Sequence, residues 1–384
     1  MANHLRVGLM LALPLSTLAA QVRVCRSAAP RIRQTLRAMH EKERNVGLSA
    51  AVMHHGQLVF SEGMGSADLE HGIPVTPETR FTAASIGKTF TGTTLAILAD
   101  SGLIDLDAPI QRYVPSFHPP GGEAITLRLL AGHLGGVRHY RSGERTPAFL
   151  ATHYDDVSDA VALVANDTLI DQPGVAYHYS SYGYNLLAAA IQAAAHRPYA
   201  SVVEDLLLRP LGLGHTRFDD VRIVIPNRAR HYAFNDPFTY AATTDLRRVP
   251  DFDYSYNMGG GNILTTAADL VRFGNAMMQP GRLSPGALRL IQTELRGTAG
   301  GTHWGVGWFV NPDSAGRHML HSNGAFPGVQ SALYVYPDDE IVVAVLSNTW
   351  GIGAISAEMA TTLPMAVAQA CREAVRRSAR GGSR

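Results

Sequence analysis

Lysine is almost missing from this chain. Of 33 Lys and Arg side chains in 384 residues, only Lys42 and Lys88 are lysines. Arginine replaces lysine well as a surface charge but keeps its proton in proteins, whereas a desolvated lysine can give its proton up and act as a base. An excess of either charge is missing too. The formal net charge is +1 and the arginines are scattered, which excludes the clustered basic surface that nucleic-acid binding requires. Long apolar runs are absent. The run from Val7 to Leu13 is too short to span a bilayer, and no other stretch is long enough, so no membrane span is expected. Cysteine is confined to Cys25 and Cys371, and neither paired-cysteine spacing nor His-Glu-x-x-His occurs; no metal and no cofactor are expected.

What is present describes a globular chain, 46% hydrophobic and 17% charged, with ample material for a core. His4 and Arg6 precede the short apolar run, and Ser16 to Ala20 supply small residues for cleavage. Residues 1–20 therefore read as a secretory signal, which predicts a periplasmic or secreted protein. Export would permit a Cys25–Cys371 disulfide tying the terminal helices; buried or free thiols are the alternative.

Helical spacing covers Ala29 to Arg44, with Ile32, Leu36 and Met39 on one face. Two strands, Gly47 to Met53 and Gln57 to Gly63, flank a turn at His54-His55-Gly56 whose histidines are expected to face solvent. A helix runs from Ser85 through Leu98. Leu127–Ala131, Val157–Ala165, Tyr184–Ala195 and Asp269–Met278 read as helices, and strand character returns at Gly305–Asn311, His318–His321, Gln330–Tyr336 and Ile341–Ser347 before a last helix from Ile355 to Arg376. The expected fold is α+β: an antiparallel sheet flanked by N- and C-terminal helices, with an inserted, mostly helical subdomain. The corresponding division is 29–100 with 215–376 for the sheet domain, 101–214 for the helical subdomain, and 377–384 as a disordered basic tail.

One of the two lysines lies in Ser85-Ile86-Gly87-Lys88. A serine and a lysine three apart on a helix share a face, so hydroxyl and amine come within hydrogen-bonding reach, and free N–H groups at the helix start favour developing negative charge. By itself Ser-x-x-Lys is a weak signal, since Ser85 could be a helix cap and Lys88 a solvated first-turn residue. The surrounding text adds Phe81-Thr82-Ala83-Ala84 before the motif, Leu103 to Ile110 and Tyr113-Val114-Pro115 after it. Further along stand Ile125 to Leu130, His133-Leu134-Gly135-Gly136-Val137, Pro173-Gly174, Tyr179 to Asn185, Gly260-Gly261, Gly305-Val306-Gly307-Trp308 and His321 to Gly328.

Taken together, these segments resemble the serine β-lactamase and penicillin-binding superfamily, in its class C-like branch, which also holds family VIII carboxylesterases, D-aminopeptidases and a mitochondrial serine β-lactamase-like protein. The resemblance covers about residues 40–350. It implies a β-lactamase/transpeptidase-like fold, Ser85 as nucleophile, Lys88 as base, and Tyr179 as the tyrosine of a Tyr-x-Asn motif that moves protons to and from the serine. A nearby ammonium would favour its phenolate. Ser181 stands where the family usually has Asn. The third motif, Lys-Thr-Gly or His-x-Gly in relatives, is matched by His321-Ser322-Asn323-Gly324. This implies that His321 offers a hydrogen bond or partial positive charge toward a substrate carboxylate or the tyrosine. Asn323 stands in place of the usual glycine and Gly324 takes its role one residue later. The oxyanion hole is expected from the Ser85 N–H and that of Gly324 or Ala325.

No Gly-x-Ser-x-Gly elbow or phosphate-cradling glycine loop competes with this assignment. The expectation is a serine hydrolase acting through an acyl-serine on an ester, β-lactam or peptide amide, with a small-molecule or peptide substrate as its partner. The alternatives are a carboxylesterase without β-lactamase activity and a non-catalytic binding protein on the same scaffold.

Overall fold

The computed structural model describes residues 22–381 apart from 23, 43 and 351–361. The signal-peptide reading of residues 1–20 lies outside the described residues. Helix α1 (Ala29–Lys42) buries Ile32 and Leu36 as its spacing predicts, and leads into β1 (Gly47–His54) and β2 (Gln57–Asp68). The turn between these strands is tight because His55 and Gly56 both take positive φ, +48° and +71°. That conformation matches the twist of the flanking strands. Residues Ile73–Pro74 form β3, and α2 (Gly87–Asp100) follows a single 3₁₀ turn at Ala84–Ile86 that holds Ser85. Further along come α3 (Ser181–Ala195), the hairpin β4 (Tyr232–Asn235) and β5 (Ala242–Arg248), and α4 (Ala267–Asn275). Strands β6 (Leu320–Phe326), β7 (Val329–Tyr336) and β8 (Ile341–Ser347) precede the last helix, α5 (Leu363–Gly381).

Six strands form one antiparallel sheet in the order β6-β7-β8-β1-β2-β3. The late strands thus pair with the early ones, as the two-ended sheet reading requires. Side-chain alternation gives this sheet two apolar faces. One carries Leu48, Ala50, Val52, Tyr334, Val343 and Val345 against α1 and α5, and the other carries Ala51, Leu333, Val335, Val342 and Ala344 against α4. On that second face the 3₁₀ turn with Ser85 packs against β6 and β7, and α2, whose Phe90 ring stacks on Phe273 of α4 at 4.1 Å, leads on to α3.

Several expectations need correction. Gly305–Asn311 is not a strand but a turn, with Gly307 at φ +87° and only bridges from Phe309 to Trp304 and His321. His54 is buried, not solvent-facing, because it ends β1 beneath the terminal helices, with a ring nitrogen within 4.8 Å of the Cys25 and Cys371 sulfurs. The basic tail expected from 377 continues α5 to Gly381, since Arg, Ala and Ser sustain a helix and basic charge suits a helix C-terminus. The β4–β5 hairpin was not foreseen: its exposed second strand lacks the apolar alternation that marks one.

Cys25 and Cys371 form a disulfide across 346 residues of sequence, with Cα atoms 4.7 Å apart. Both are buried in the cluster between the sheet and the terminal helices. Cross-linking so long a loop constrains the unfolded chain by a few kcal/mol. Accordingly, reduction, or Cys371→Ser, is expected to lower the thermal midpoint by several degrees in scanning calorimetry. An unchanged midpoint would show that the link does not contribute to stability.

Candidate active site

The 3₁₀ turn that carries Ser85 is set by its neighbours. Ala84 takes φ +47°, a left-handed conformation costing of order 1 kcal/mol for a residue with a Cβ. Gly87 permits a close approach: a Cβ there would lie 2.8 Å from the Gly261 Cα. The backbone of 259–261 thereby packs directly on the start of α2. Asn185 of α3 fixes that segment, accepting from the Gly259 N–H at 3.0 Å and donating to the Tyr256 carbonyl at 2.6 Å.

Lys88 reaches back along the same helix face and is fully buried. Its Nζ is 2.8 Å from the Gly260 carbonyl, 2.9 Å from Ser181 Oγ and 3.3 Å from Ser85 Oγ. Burial pulls its amine down to about 7 from the ordinary 10.5. A neutral amine has two N–H donors and one lone pair. Gly260 and Ser181 can take the donors, which leaves the lone pair for the Ser85 hydroxyl proton. Tyr179, half-buried just before the Ser180 cap of α3, donates its hydroxyl to Ser85 Oγ at 2.9 Å. Burial pushes its phenol up to about 12, with the Ser85 and Ser181 hydroxyls opposing that rise. The expected phenolate is therefore not the resting form: Lys88, itself short of a proton near neutrality, supplies too little positive charge to outweigh desolvation, although Nζ sits 4.9 Å from the centre of the Tyr179 ring.

His133 braces the tyrosine from behind. It is buried, its ring lies 4.5 Å from that of Tyr179, and its Nδ1 accepts the Ser180 N–H at 3.1 Å. Trp304 packs edge-on against the same imidazole and receives the Tyr177 hydroxyl as its N–H acceptor at 3.1 Å. Gly260, Asn185 and His133 were visible only as matching text. Nothing in their types identified a backbone acceptor, a loop anchor and a ring support. Asn257 was missed altogether; its fully buried amide lies against Gly260 and Gly261, next to Ser181.

Strand β6 borders the serine through Gly324, not His321. A Cβ on Gly324 would sit 2.3 Å from the Ala83 carbonyl, 2.3 Å from Ser331 Oγ and 2.9 Å from the Ser85 nitrogen. Since side chains alternate along a regular strand, Ser322 shares the Gly324 face, whereas His321 and Asn323 point the other way. His321 stacks between Phe309 at 4.8 Å and Tyr334 at 5.0 Å and contacts Asn311 Oδ1 at 3.0 Å. Burial lowers it to about 4, so it carries no positive charge at neutral pH. Asn323 reaches toward the Tyr334 hydroxyl at 3.5 Å. Gly324 takes the glycine's place one residue late, as expected, and the correction falls on His321, which precedes the Ser322-Asn323-Gly324 segment beside the serine. Backbone alternation also chooses between the two amides. His321 exchanges both N–H···O bonds with Phe309, away from β7, so the exposed Ala325, four residues on, turns its N–H to the same open edge.

With the geometry in view, comparison with known proteins is direct. A family model described as Beta-lactamase matches residues 32–362. The chain belongs to the serine β-lactamase and penicillin-binding superfamily. This β-lactamase-family chain is 27% identical over 413 aligned residues to the human mitochondrial serine β-lactamase-like protein LACTB, covering 80% of the chain and 74% of that relative. It is 27% identical to penicillin-binding protein 4* of Bacillus subtilis, covering 76% of the chain and 66% of the relative. Two solved structures share the α+β fold. A D-amino acid amidase from Ochrobactrum anthropi SV3 superposes with TM-score 0.74 at 20% identity, and EstCE1, described as a hydrolase with promiscuous acyltransferase activity, with TM-score 0.73 at 22% identity; each comparison covers 90% of this chain and 99% of the other.

The tight fit at Gly324 has a measurable consequence. Two of the atoms that a new Cβ would meet are backbone and cannot swing aside, so Gly324→Ala is expected to cost about 1–3 kcal/mol of stability. Urea denaturation checks this; a loss below about 0.5 kcal/mol would mean that β6 and the Ser85 turn are free to separate.

Proposed function

We propose that this protein is a serine hydrolase that transfers an acyl group from an uncharged ester to Ser85 and then to water. The observation that carries this reading is the convergence of the dry Lys88 amine and the Tyr179 hydroxyl on Ser85 Oγ. As Ser85 Oγ bonds to the carbonyl carbon, its proton passes to Lys88. Negative charge on the carbonyl oxygen is met by the N–H groups of Ser85 and Ala325. The C–O bond to the leaving alcohol breaks while Tyr179 donates its proton to that oxygen and is resupplied from Lys88. Water then attacks the acyl-serine, giving its proton back through the same groups, and the carboxylic acid departs. Atoms balance, and no oxidant or cofactor takes part.

An ester is favoured over a β-lactam by charge. A β-lactam carboxylate is best met by a cation on the strand beside the serine. That position here is Ser322, and His321 is turned away and neutral. The names of the structural neighbours, a hydrolase with promiscuous acyltransferase activity and an amidase, are consistent with acyl transfer from an ester or an amide. We also propose that the protein works outside the reducing cytosol, supported by the leader-like start at residues 1–20 and by the Cys25–Cys371 link.

Intact mass after treatment with a fluorophosphonate is expected to show one adduct on the wild type and none on Ser85→Ala. No adduct on the wild type, or an equal one on the variant, rules out the acyl-serine reading. The pH dependence follows from the two acidities. Lys88 must be neutral and leaves its charged form through about 7, whereas Tyr179 keeps its proton until about 12. Plotted against pH, kcat/KM for p-nitrophenyl acetate should therefore climb through about 7 and hold level to at least pH 9. A flat profile from 5 to 9 would remove Lys88 as the base.

A further inference from the structure

Two sizeable cavities among the described residues lie away from the serine. One of about 510 Å³ is lined by polar residues including Arg80, His153, His215 and Arg222, and another of about 490 Å³ lies under Ile223 and Val224. A far smaller crevice borders the Ser85 turn through its neighbour Ala84. Ala84 belongs to a buried aromatic cluster with Phe252, Tyr254, Tyr256 and Phe326, and the crevice within it measures about 20 Å³. That is space for roughly one water molecule.

Three observations join this crevice to the acyl-transfer site. Phe326 follows Gly324 by two residues on the same strand face, and Gly324 touches the Ser85 amide. Tyr140, on the opposite wall, lies close enough to Ser181 for that hydroxyl to influence its phenol, and Ser181 holds Lys88. The Tyr140 ring meets Tyr256 at 5.6 Å, which carries the wall round to Asn257 and the Gly260 loop. Phe326 in turn stacks on Tyr254 at 4.2 Å and 7°. Pro237 and Tyr240, at the tip of the β4–β5 hairpin, line the outer end. The Tyr179 hydroxyl, which protonates the leaving oxygen, assigns the leaving group to its own side of Ser85, whereas the crevice opens from Ala84 and the Gly324–Phe326 strand. The aromatic crevice therefore faces the acyl half of a bound ester.

Resting on the acyl-transfer reading above, we propose that Phe326, Tyr254, Tyr256 and Tyr140 form an acyl-size gate that limits this enzyme to short acyl groups, acetyl to propionyl. A methyl group takes about the space of the one water molecule the crevice admits. Each further methylene must displace an aromatic ring that is already stacked or edge-packed. Overfilling a packed site costs about 1–3 kcal/mol, and one methylene in a hydrophobic pocket changes kcat/KM by about 10–200-fold. Shortening a gate residue should then admit larger substrates, a gain that a misfolded variant cannot imitate.

The test is a series of p-nitrophenyl esters on the full chain: acetate, butyrate, hexanoate and phenylacetate. For the wild type, kcat/KM is expected to fall at least tenfold from acetate to hexanoate and to phenylacetate. In Phe326→Ala, and separately in Tyr254→Ala, the phenylacetate-to-acetate ratio is expected to rise at least tenfold. A wild type that turns over phenylacetate as well as acetate overturns the gate, as does an unchanged ratio in both variants. Loss of turnover with every ester, together with no fluorophosphonate adduct, overturns the acyl-transfer reading and the gate with it. Turnover without dependence on size removes the gate alone.

Discussion

An amine held entirely out of water organises this molecule. Moving Lys88 from 10.5 to about 7 corresponds to on the order of 5 kcal/mol of preference for its neutral form. Such a group persists only when its surroundings fix its few remaining contacts. The Gly260 carbonyl and the Ser181 hydroxyl do so, and both are positioned by elements distant in sequence. Asn185 holds the 259–261 loop, Gly87 and Gly261 let that loop touch α2, and α4 packs on α2 where Phe90 stacks on Phe273. Scarcity of lysine elsewhere in the chain fits this arrangement. Arginine serves the surface, whereas at position 88 a guanidinium would remain charged and uncompensated.

The same desolvation settles the neighbouring acidities. Tyr179 is kept protonated because burial opposes its phenolate more than a partly deprotonated lysine favours it. His133 and His321 are held neutral by burial as well. A base that is neutral near pH 7 therefore stands beside an acid that is not ionised there, with one serine hydroxyl between them. Environment separates the two roles more than residue type does, since in water both groups would titrate near 10.

Much of this was legible in the text. Ser85, Lys88, Tyr179 and Ser181 were identified by spacing and by resemblance, and the structure brings the four together. Helix α1 and strands β1, β7 and β8 were visible as periodicity. Gly324 was read as the glycine of the third motif, but His321 was given a role toward the substrate, because a histidine near glycines looks the same in either register. Only the contact between Gly324 and the Ser85 amide distinguishes a side chain turned toward the serine from one stacked between Phe309 and Tyr334. Gly305–Asn311 was read as a strand from its apolar residues, but Gly307 needs a positive φ and bends the chain instead. Those errors share a cause, since strand register and backbone sign depend on partners outside the local window.

By itself, the sequence determined the family, the pairing of Ser85 with Lys88 on one helix face, and a sheet built from both ends of the chain. These follow from short-range spacing, from hydrophobic period and from ordered motifs, all of which are written along the chain. The tertiary structure alone decided that Lys88 is dry, that Tyr179 keeps its proton, that Ser322 and not His321 shares the face turned to the serine, and that an aromatic cluster packs against the turn that carries it. Each of those depends on how much water and which atoms surround a group, and residues 88, 181 and 260 become neighbours only when the chain has folded.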